Sequence, residues 1–323
     1  MKKYDVVALG ELLIDFTLNG NSNQGNPMFE ANPGGAPCNV LSMLSKLGKK
    51  TAFIGKVGKD QFGAQLRKTI DECGIDSKYL LEDDVVHTTL AFVHTFPDGD
   101  REFSFYRNPG ADMMLSENEI IDEMVDNTKI FHYGTLSMTH EGVRKATIRA
   151  IETAKKNGAI ISLDPNLREP LWDSLDNARE QIKKAISYCD ILKISDNEIQ
   201  FLTGEEDYDK GISKLRSEYD IPLVCLTMGK DGSRAYYKDM RVEVTGFKQE
   251  NVVDTTGAGD TFCGCVLNYV SENGLDSLNE DNLKEMLTFA NAAASLVTTK
   301  KGAIKSMPEK EEVEALFKHI KNS

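Results

Sequence analysis

Residues 254–270 read DTTGAGDTFCGCVLNYV. Between Asp254 and Asp260 stand Gly257, Ala258 and Gly259, residues with almost no side chain. Behind them Phe262, Val266, Tyr269 and Val270 recur at helical spacing. The small residues therefore sit at a helix N-terminus, where free amides and the helix dipole favour an anion. Glycine also lets ligand oxygens come close to the backbone. Asp260 then has two readings: it caps the helix, or it is a base beside a bound anion. The stretch is not a Walker A loop, because no G-x-x-x-x-G-K-[ST] occurs in the chain. Nor is it the dinucleotide fingerprint, since Phe262 takes the third glycine position.

Working outward, short apolar runs alternate with helical patterns. The runs are Val6–Leu9, Thr51–Gly55, Ile130–Tyr133, Ile160–Leu163, Ile191–Ile194 and Val224–Thr227. Continuous apolar strands imply burial on both faces, as in a mainly parallel sheet between helices. Val40, Leu41, Leu44 and Leu47 share a helix face that Gly48 stops, and Asp60 caps a further helix followed by Gly74. Two segments break the rhythm. Residues 12–33 carry no helical pattern, and 88–107 hold two β-type runs around Pro97-Asp98-Gly99, a turn that makes a hairpin. The expected fold is a three-layer αβα core over 1–11, 34–87 and 113–323. A small β-sheet from 12–33 and 88–112 projects from it as a lid.

The bulk numbers narrow the function classes. With 323 residues the chain can bury a large core. The net charge of −13 argues against a polyanion partner such as nucleic acid, though not against one local phosphate site. Six scattered cysteines without a C-x-x-C pair suit buried thiols in a reducing compartment, so a cytoplasmic location is expected. The opening MKKYDVVALGELL reads as a core strand and not as a signal peptide. No run of ~18 apolar residues predicts a membrane span. Five histidines without ligand spacing speak against a zinc hydrolase.

Other stretches carry candidate chemistry, each with a plainer structural account. In NPGGAPCN (32–39), Gly34-Gly35 is a turn or a close approach to a ligand, and Pro37 suits a first helical turn. Glu198, in KISDNEIQFLTG (193–204), is a favourable first-turn acid or a metal-site carboxylate. In DPNLR (164–168), at the carboxyl end of a strand, Asn166 and Arg168 face a ligand crevice or a surface salt bridge, and Lys193 is a further phosphate candidate. FANAAASLV (289–297) packs against a flat base or another helix.

DTTGAGDTFCG resembles the C-terminal signature of the ribokinase-like (PfkB-type) sugar kinases, and the likeness runs from GELLIDF to GAIKSMP. It implies an anion hole of Gly257, Ala258 and Gly259 amides for the transferred phosphoryl group, with Asp260 as base; Arg168, from its place at the strand end, is a further catalytic candidate. Phosphoryl transfer needs positioning and charge stabilisation of this kind. By the same resemblance Asp15, Gly34, Gly35 and Asn39 bind the sugar. LTMGKDG (226–232) resembles the family's ATP loop, which puts Thr227, Gly229 and Gly232 at the nucleotide with Asn166, Lys193 and Asn291. Glu198 matches a water-mediated magnesium residue, although Ser195 replaces the asparagine of that motif. KKGAIKS (300–306) resembles a monovalent-cation loop, implying Asp254, Thr256, Val297, Lys300, Gly302 and Ser306 around potassium.

GGAPCNV and FSFYRNPGADMML resemble fructokinases within the family, with Arg107 and Asn108 facing the sugar. The expected reaction is ATP-dependent phosphorylation of D-fructose at O6, with 2-keto-3-deoxygluconate kinase and ribokinase as alternatives. A non-catalytic sugar- or nucleotide-binding regulator on the same fold is the reading from a different class. Lid pairing in the family implies a homodimer.

Overall fold

The computed structural model describes residues 2–95 and 101–321. In chain order it holds β1 (Tyr4–Leu9), a hairpin of β2 (Leu13–Asn21) and β3 (Pro27–Gly34), α1 (Ala36–Lys46), β4 (Thr51–Gly58), α2 (Gln61–Glu72) and β5 (Ile75–Asp83). A second hairpin follows, β6 (Leu90–Thr95) and β7 (Arg101–Tyr106). Next come β8 (Thr128–Gly134), α3 (Glu141–Lys156), β9 (Ile160–Asp164), α4 (Leu175–Ile186), β10 (Ile191–Ser195), α5 (Asp196–Thr203), α6 (Tyr208–Glu218) and β11 (Leu223–Thr227). Then follow β12 (Ser233–Tyr237), β13 (Met240–Val244), α7 (Ala258–Asn273), α8 (Glu280–Val297) and α9 (Lys310–Lys321).

The six apolar runs read from the sequence are strands of one large sheet, ordered β13-β12-β11-β10-β9-β8-β1-β4-β5. From β11 to β5 its pairings are parallel. Successive side chains point to opposite faces, and both faces are dry. Val6 and Ala8 join a core with Leu41, Leu44, Phe262 and Leu287. Val7 and Leu9 join a second core with Ile151 and Ile182. Each fully buried Val, Leu, Ile or Phe side chain among these contributes roughly 1.5–3 kcal/mol. A helix layer on each side is thus required.

β12 and β13 add antiparallel at one edge and β5 closes the other, and none of the three is evident in the sequence. β5 is an edge strand with broken alternation, and the β12–β13 turn uses Lys238 at φ 53 where a glycine would have signalled it. Helix ends behave as expected: Gly48 (φ 78) and Gly74 (φ 76) follow α1 and α2, and Asp60 accepts from the Gly63 amide at 2.8 Å.

The two irregular segments form a separate small sheet, ordered β3-β2-β6-β7. The Pro97-Asp98-Gly99 turn lies outside the described residues. One face carries Asp15, Thr17, Asn32 and Val93 and shares a cavity with Val253, Asp254, Thr256 and residues 301–303. The opposite face carries Phe16, Phe29, Phe92 and Tyr106 in mutual ring contact. Among the described residues no helix is long and apolar enough to cross a membrane. The six cysteines are free thiols.

Candidate active site

α7 begins at Ala258, with Gly257 as its N-cap at φ 80, a left-handed turn that suits glycine. Asp260 does not cap this helix. Its Oδ2 accepts a hydrogen bond from Asn39 Nδ2 at 2.7 Å, and the carboxylate is buried. Burial raises its pKa, while the Asn39 bond and the charges of Lys193 and Arg168 pull it back; the net shift is upward. Asn39 stands at the start of α1, so two helix N-termini meet here. They can approach because Gly264 packs on α1: a Cβ there would stand 2.9 Å from Met43 Cβ.

Asp260 opens onto a cleft of about 990 Å³ between the large and small sheets. Of the residues expected at the sugar and the phosphoryl group, Asp15, Gly35, Asn39, Arg168, Gly257 and Gly259 line it, and so do Asn166 and Lys193, which were expected at the nucleotide. Burial pushes Asp15 up to about 7, with Arg168 drawing it down and Asp254 pushing further up. Gly34 lies directly behind, and a Cβ on it would come within 2.2 Å of Asp15 Oδ2. A Cβ on Gly35 would meet the Glu11 carbonyl oxygen at 2.4 Å. Asn39 Oδ1 is buried with no hydrogen-bond partner among the described residues. Such an acceptor costs stability unless a donor reaches it, and a ligand hydroxyl is a fitting donor.

The cationic side is built from strand ends. Lys193 on β10 is buried, with Nζ 2.9 Å from Asp164 Oδ2 on β9. Burial alone would lower its pKa, but Asp164, Glu198 and Asp260 hold it well above the ordinary lysine range. A Cβ at Gly259 would lie 2.9 Å from this ammonium, so the charge sits against the amides of the α7 N-terminus. Asn166, just past β9, holds φ 49, a conformation that costs about 1 kcal/mol and is mildest for Asn. Such strain is common at functional sites.

A second cavity, of about 1,060 Å³, is lined by Gly229, Lys230, Gly246, Phe247, Asn291, Ala294 and Ser295, with Ala258, and with Thr255, which it shares with the cleft. Asn291 Nδ2 donates to the carbonyls of Val244 (3.2 Å) and Thr245 (3.3 Å), which ties α8 to β13. Gly232, at φ 104, serves the turn: a Cβ there would hit the Val244 oxygen at 2.1 Å. Thr227 Oγ1 donates to the Ile194 carbonyl at 3.5 Å. Neither Gly232 nor Thr227 lines the cavity.

Some expected residues have other duties. Arg107 does not face the cleft: its buried guanidinium pairs with Asp112 at 2.7 Å and donates to Thr139 Oγ1 and the Leu136 carbonyl, both at 3.0 Å. Asn108 is exposed beside the cis Asn108–Pro109 bond and does not line the cleft either. Glu198 Oε2 accepts from the Ser195 amide (2.8 Å) and hydroxyl (2.9 Å), while Oε1 accepts from the Leu167 amide at 2.8 Å. Among the described residues no group of three or more His, Cys, Asp or Glu could hold a metal. A divalent ion fits here only through water and ligand phosphates, as magnesium prefers.

Of the six residues expected at a monovalent cation, Asp254, Thr256 and Gly302 line one cavity. Asp254 accepts from the amides of Thr256 (2.9 Å) and Gly302 (3.1 Å). Val297 is buried at the end of α8, Lys300 pairs with Glu312, and the Ser306 hydroxyl donates to the Lys301 carbonyl.

Sequence reasoning missed Glu11, Phe105 and Leu136, which line the cleft. Glu11 is buried, pushed up to about 7, and its Oε1 accepts from the Ala36 amide at 2.8 Å. Its acid in an apolar strand context (GELL) was the only available signal.

A glycine-opened helix N-terminus, a buried carboxylate and a polar cleft beside a second cavity suit a phosphotransferase acting on a hydroxyl group. The chain belongs to the pfkB family of carbohydrate kinases, whose model matches residues 3–310. It is 45% identical over 320 residues to a probable chloroplastic fructokinase-6 of Arabidopsis thaliana, covering 98% of this chain and 83% of that one. A fructokinase from Xylella fastidiosa, solved with bound ATP, superposes with a TM-score of 0.90 at 29% identity, covering 98% and 99% of the two chains. A double-mutant fructokinase from Vibrio cholerae, solved with fructose, ADP and potassium, gives 0.86 at 28% identity and the same coverage.

Proposed function

We propose that this protein transfers the γ-phosphoryl group of ATP to O6 of D-fructose. The observation that carries the reading is the buried Asp260 carboxylate, bonded to Asn39 in the cleft that also holds Asp15, one residue from the amide of Gly259. The fructokinase names of the relatives support the choice of sugar.

In this reading Asp15 and Asn39 hold sugar hydroxyls, and Asp260 takes the proton of the primary hydroxyl as it attacks. The amides of Gly257, Ala258 and Gly259 receive the phosphoryl oxygens at the α7 N-terminus, with Arg168 and Lys193 countering their charge. The base of ATP lies in the second cavity between Asn291 and the 246–249 segment. Asn166 and Gly229 stand along the path of its phosphates. Magnesium would neutralise phosphate charge, held by water near Glu198. Potassium would sit at the loop carrying Asp254, Thr256 and Gly302. The small sheet acts as a lid, and its outer apolar face, where Leu18 and Tyr106 are 59% and 66% exposed, pairs two copies into a homodimer. Free cysteines fit a cytoplasmic setting.

The test is ADP release with Mg-ATP, with and without potassium, across fructose, ribose, 2-keto-3-deoxygluconate, tagatose and nucleosides. Turnover concentrated on fructose is expected. Preference for another sugar would overturn the substrate assignment, and silence on all would overturn the enzyme reading.

A further inference from the structure

Arg107 and Asp112 form an ion pair with both side chains nearly inaccessible, 2% and 3% exposed. A buried pair of this kind is poor value for stability alone, because desolvation opposes the attraction. Its placement suggests another use. Thr89 begins the chain's path into β6, and its hydroxyl donates to Asp112 Oδ1. Arg107 is the residue after β7, and its Nε donates to Asp112 Oδ2 at 2.8 Å. Asp112 therefore gathers both legs of the β6–β7 hairpin. The same guanidinium reaches the Leu136 carbonyl and the Thr139 hydroxyl, and Leu136 lines the cleft. Two residues up β7, Phe105 also lines it, in the same cross-strand row as Asp15. Gly110 is enclosed by the cluster: a Cβ would stand 1.8 Å from Thr89 Oγ1, 2.8 Å from Asp112 Oδ1 and 3.0 Å from Arg107 Cγ.

We propose that Arg107 and Asp112 are positioning residues for the sugar. The pair clamps the base of the β6–β7 hairpin to the Leu136–Thr139 segment and so sets the height of Phe105 above the acceptor. Neither side chain touches the sugar. A clamp acting through Phe105 affects how tightly the sugar is held and not how ATP is held, because the second cavity is lined by Gly229, Lys230, the 246–258 segment and α8, and by no residue of the hairpin or of the clamp.

The inference rests on the sugar-kinase reading, and the experiment separates the two. Asp112→Asn keeps the shape and leaves the guanidinium without its charge partner. Its KM for fructose should rise about tenfold, with KM for ATP and kcat at saturating sugar within about twofold of wild type. Arg107→Lys restores one charge contact without the fork and should fall between. Thr89→Val removes one leg only and should shift the same KM less, which keeps the test open if Asp112→Asn folds poorly. Hydrogen–deuterium exchange without ligand should be faster in β6 and β7 of each variant, with the large sheet unchanged. If wild type phosphorylates no sugar, the kinase reading fails, while the exchange result still decides the clamp. An unchanged fructose KM in folded variants, or equal losses in both KM values and in large-sheet protection, would overturn the proposal.

Discussion

At the residue scale the site depends on carboxyl groups kept out of water. Asp260 must be ionised to accept a proton, yet burial favours its neutral form. kcat should therefore rise with pH through the raised pKa of Asp260 and then level off, read from initial rates at saturating substrates. Asp260→Asn cannot take the proton and should lower kcat by at least about 10²-fold while fructose still binds, as a calorimetric titration would register. Asp15 gives a second prediction. Its pKa moves from an ordinary 3.8 to about 7 in the folded chain. Between these values the folded state holds a proton that the unfolded chain releases, so this group costs stability as pH rises from about 4 to about 7. Asp15→Asn should accordingly raise Tm at pH 8 and not at pH 4, while raising the KM for sugar. A lower Tm at pH 8 would refute it.

At the scale of elements, two helices bring Asn39 to Asp260. α1 and α7 start at the cleft and cross close together where Gly264 meets Met43 Cβ, at 2.9 Å from a hypothetical Cβ, and the Val40 carbonyl at 3.1 Å. Gly264→Val should force them apart, costing about 1–3 kcal/mol in urea unfolding and lowering kcat through the Asn39–Asp260 bond. A stability loss with full kcat would separate packing from catalysis. The capping role that local spacing allowed for Asp260 belongs to no side chain, because Gly257 opens α7 with its backbone. Glu198 went the other way: the first-turn acid read from the sequence forms a capping box with Ser195, its Oε2 accepting from the Ser195 amide and hydroxyl.

At the scale of the whole molecule, the small sheet has two unlike faces. The polar face lines the cleft through Asp15, and the other presents Leu18, Phe29 and Tyr106. If two copies pair there, Phe29→Glu should halve the mass seen by analytical ultracentrifugation and leave the large sheet intact. A mass unchanged from wild type would place the subunit contact elsewhere.

The sequence by itself determined the layers. Runs such as Val6–Leu9 and Ile191–Ile194 are apolar on successive residues, and only a sheet covered on both sides can bury both sets. It also determined the helix terminus at Gly257–Gly259 and the two β-rich interruptions, because turn glycines and periodicity are local properties. Of the cleft, Gly35, Asn39, Gly257, Gly259 and Asp260 were legible through the family likeness of two glycine motifs. What only the tertiary structure decided concerns partners far apart in the chain. Asn39 and Asp260 are 221 residues apart, and their 2.7 Å bond has no local trace. Arg107 reads as a ligand contact until Asp112 and Leu136 are seen to occupy it. Glu11 reads as one acid in an apolar strand until the fold places it at the cleft wall. A side chain's type and spacing set what it is able to do; burial and the identity of the group opposite decide what it does, and both arise only when distant segments pack.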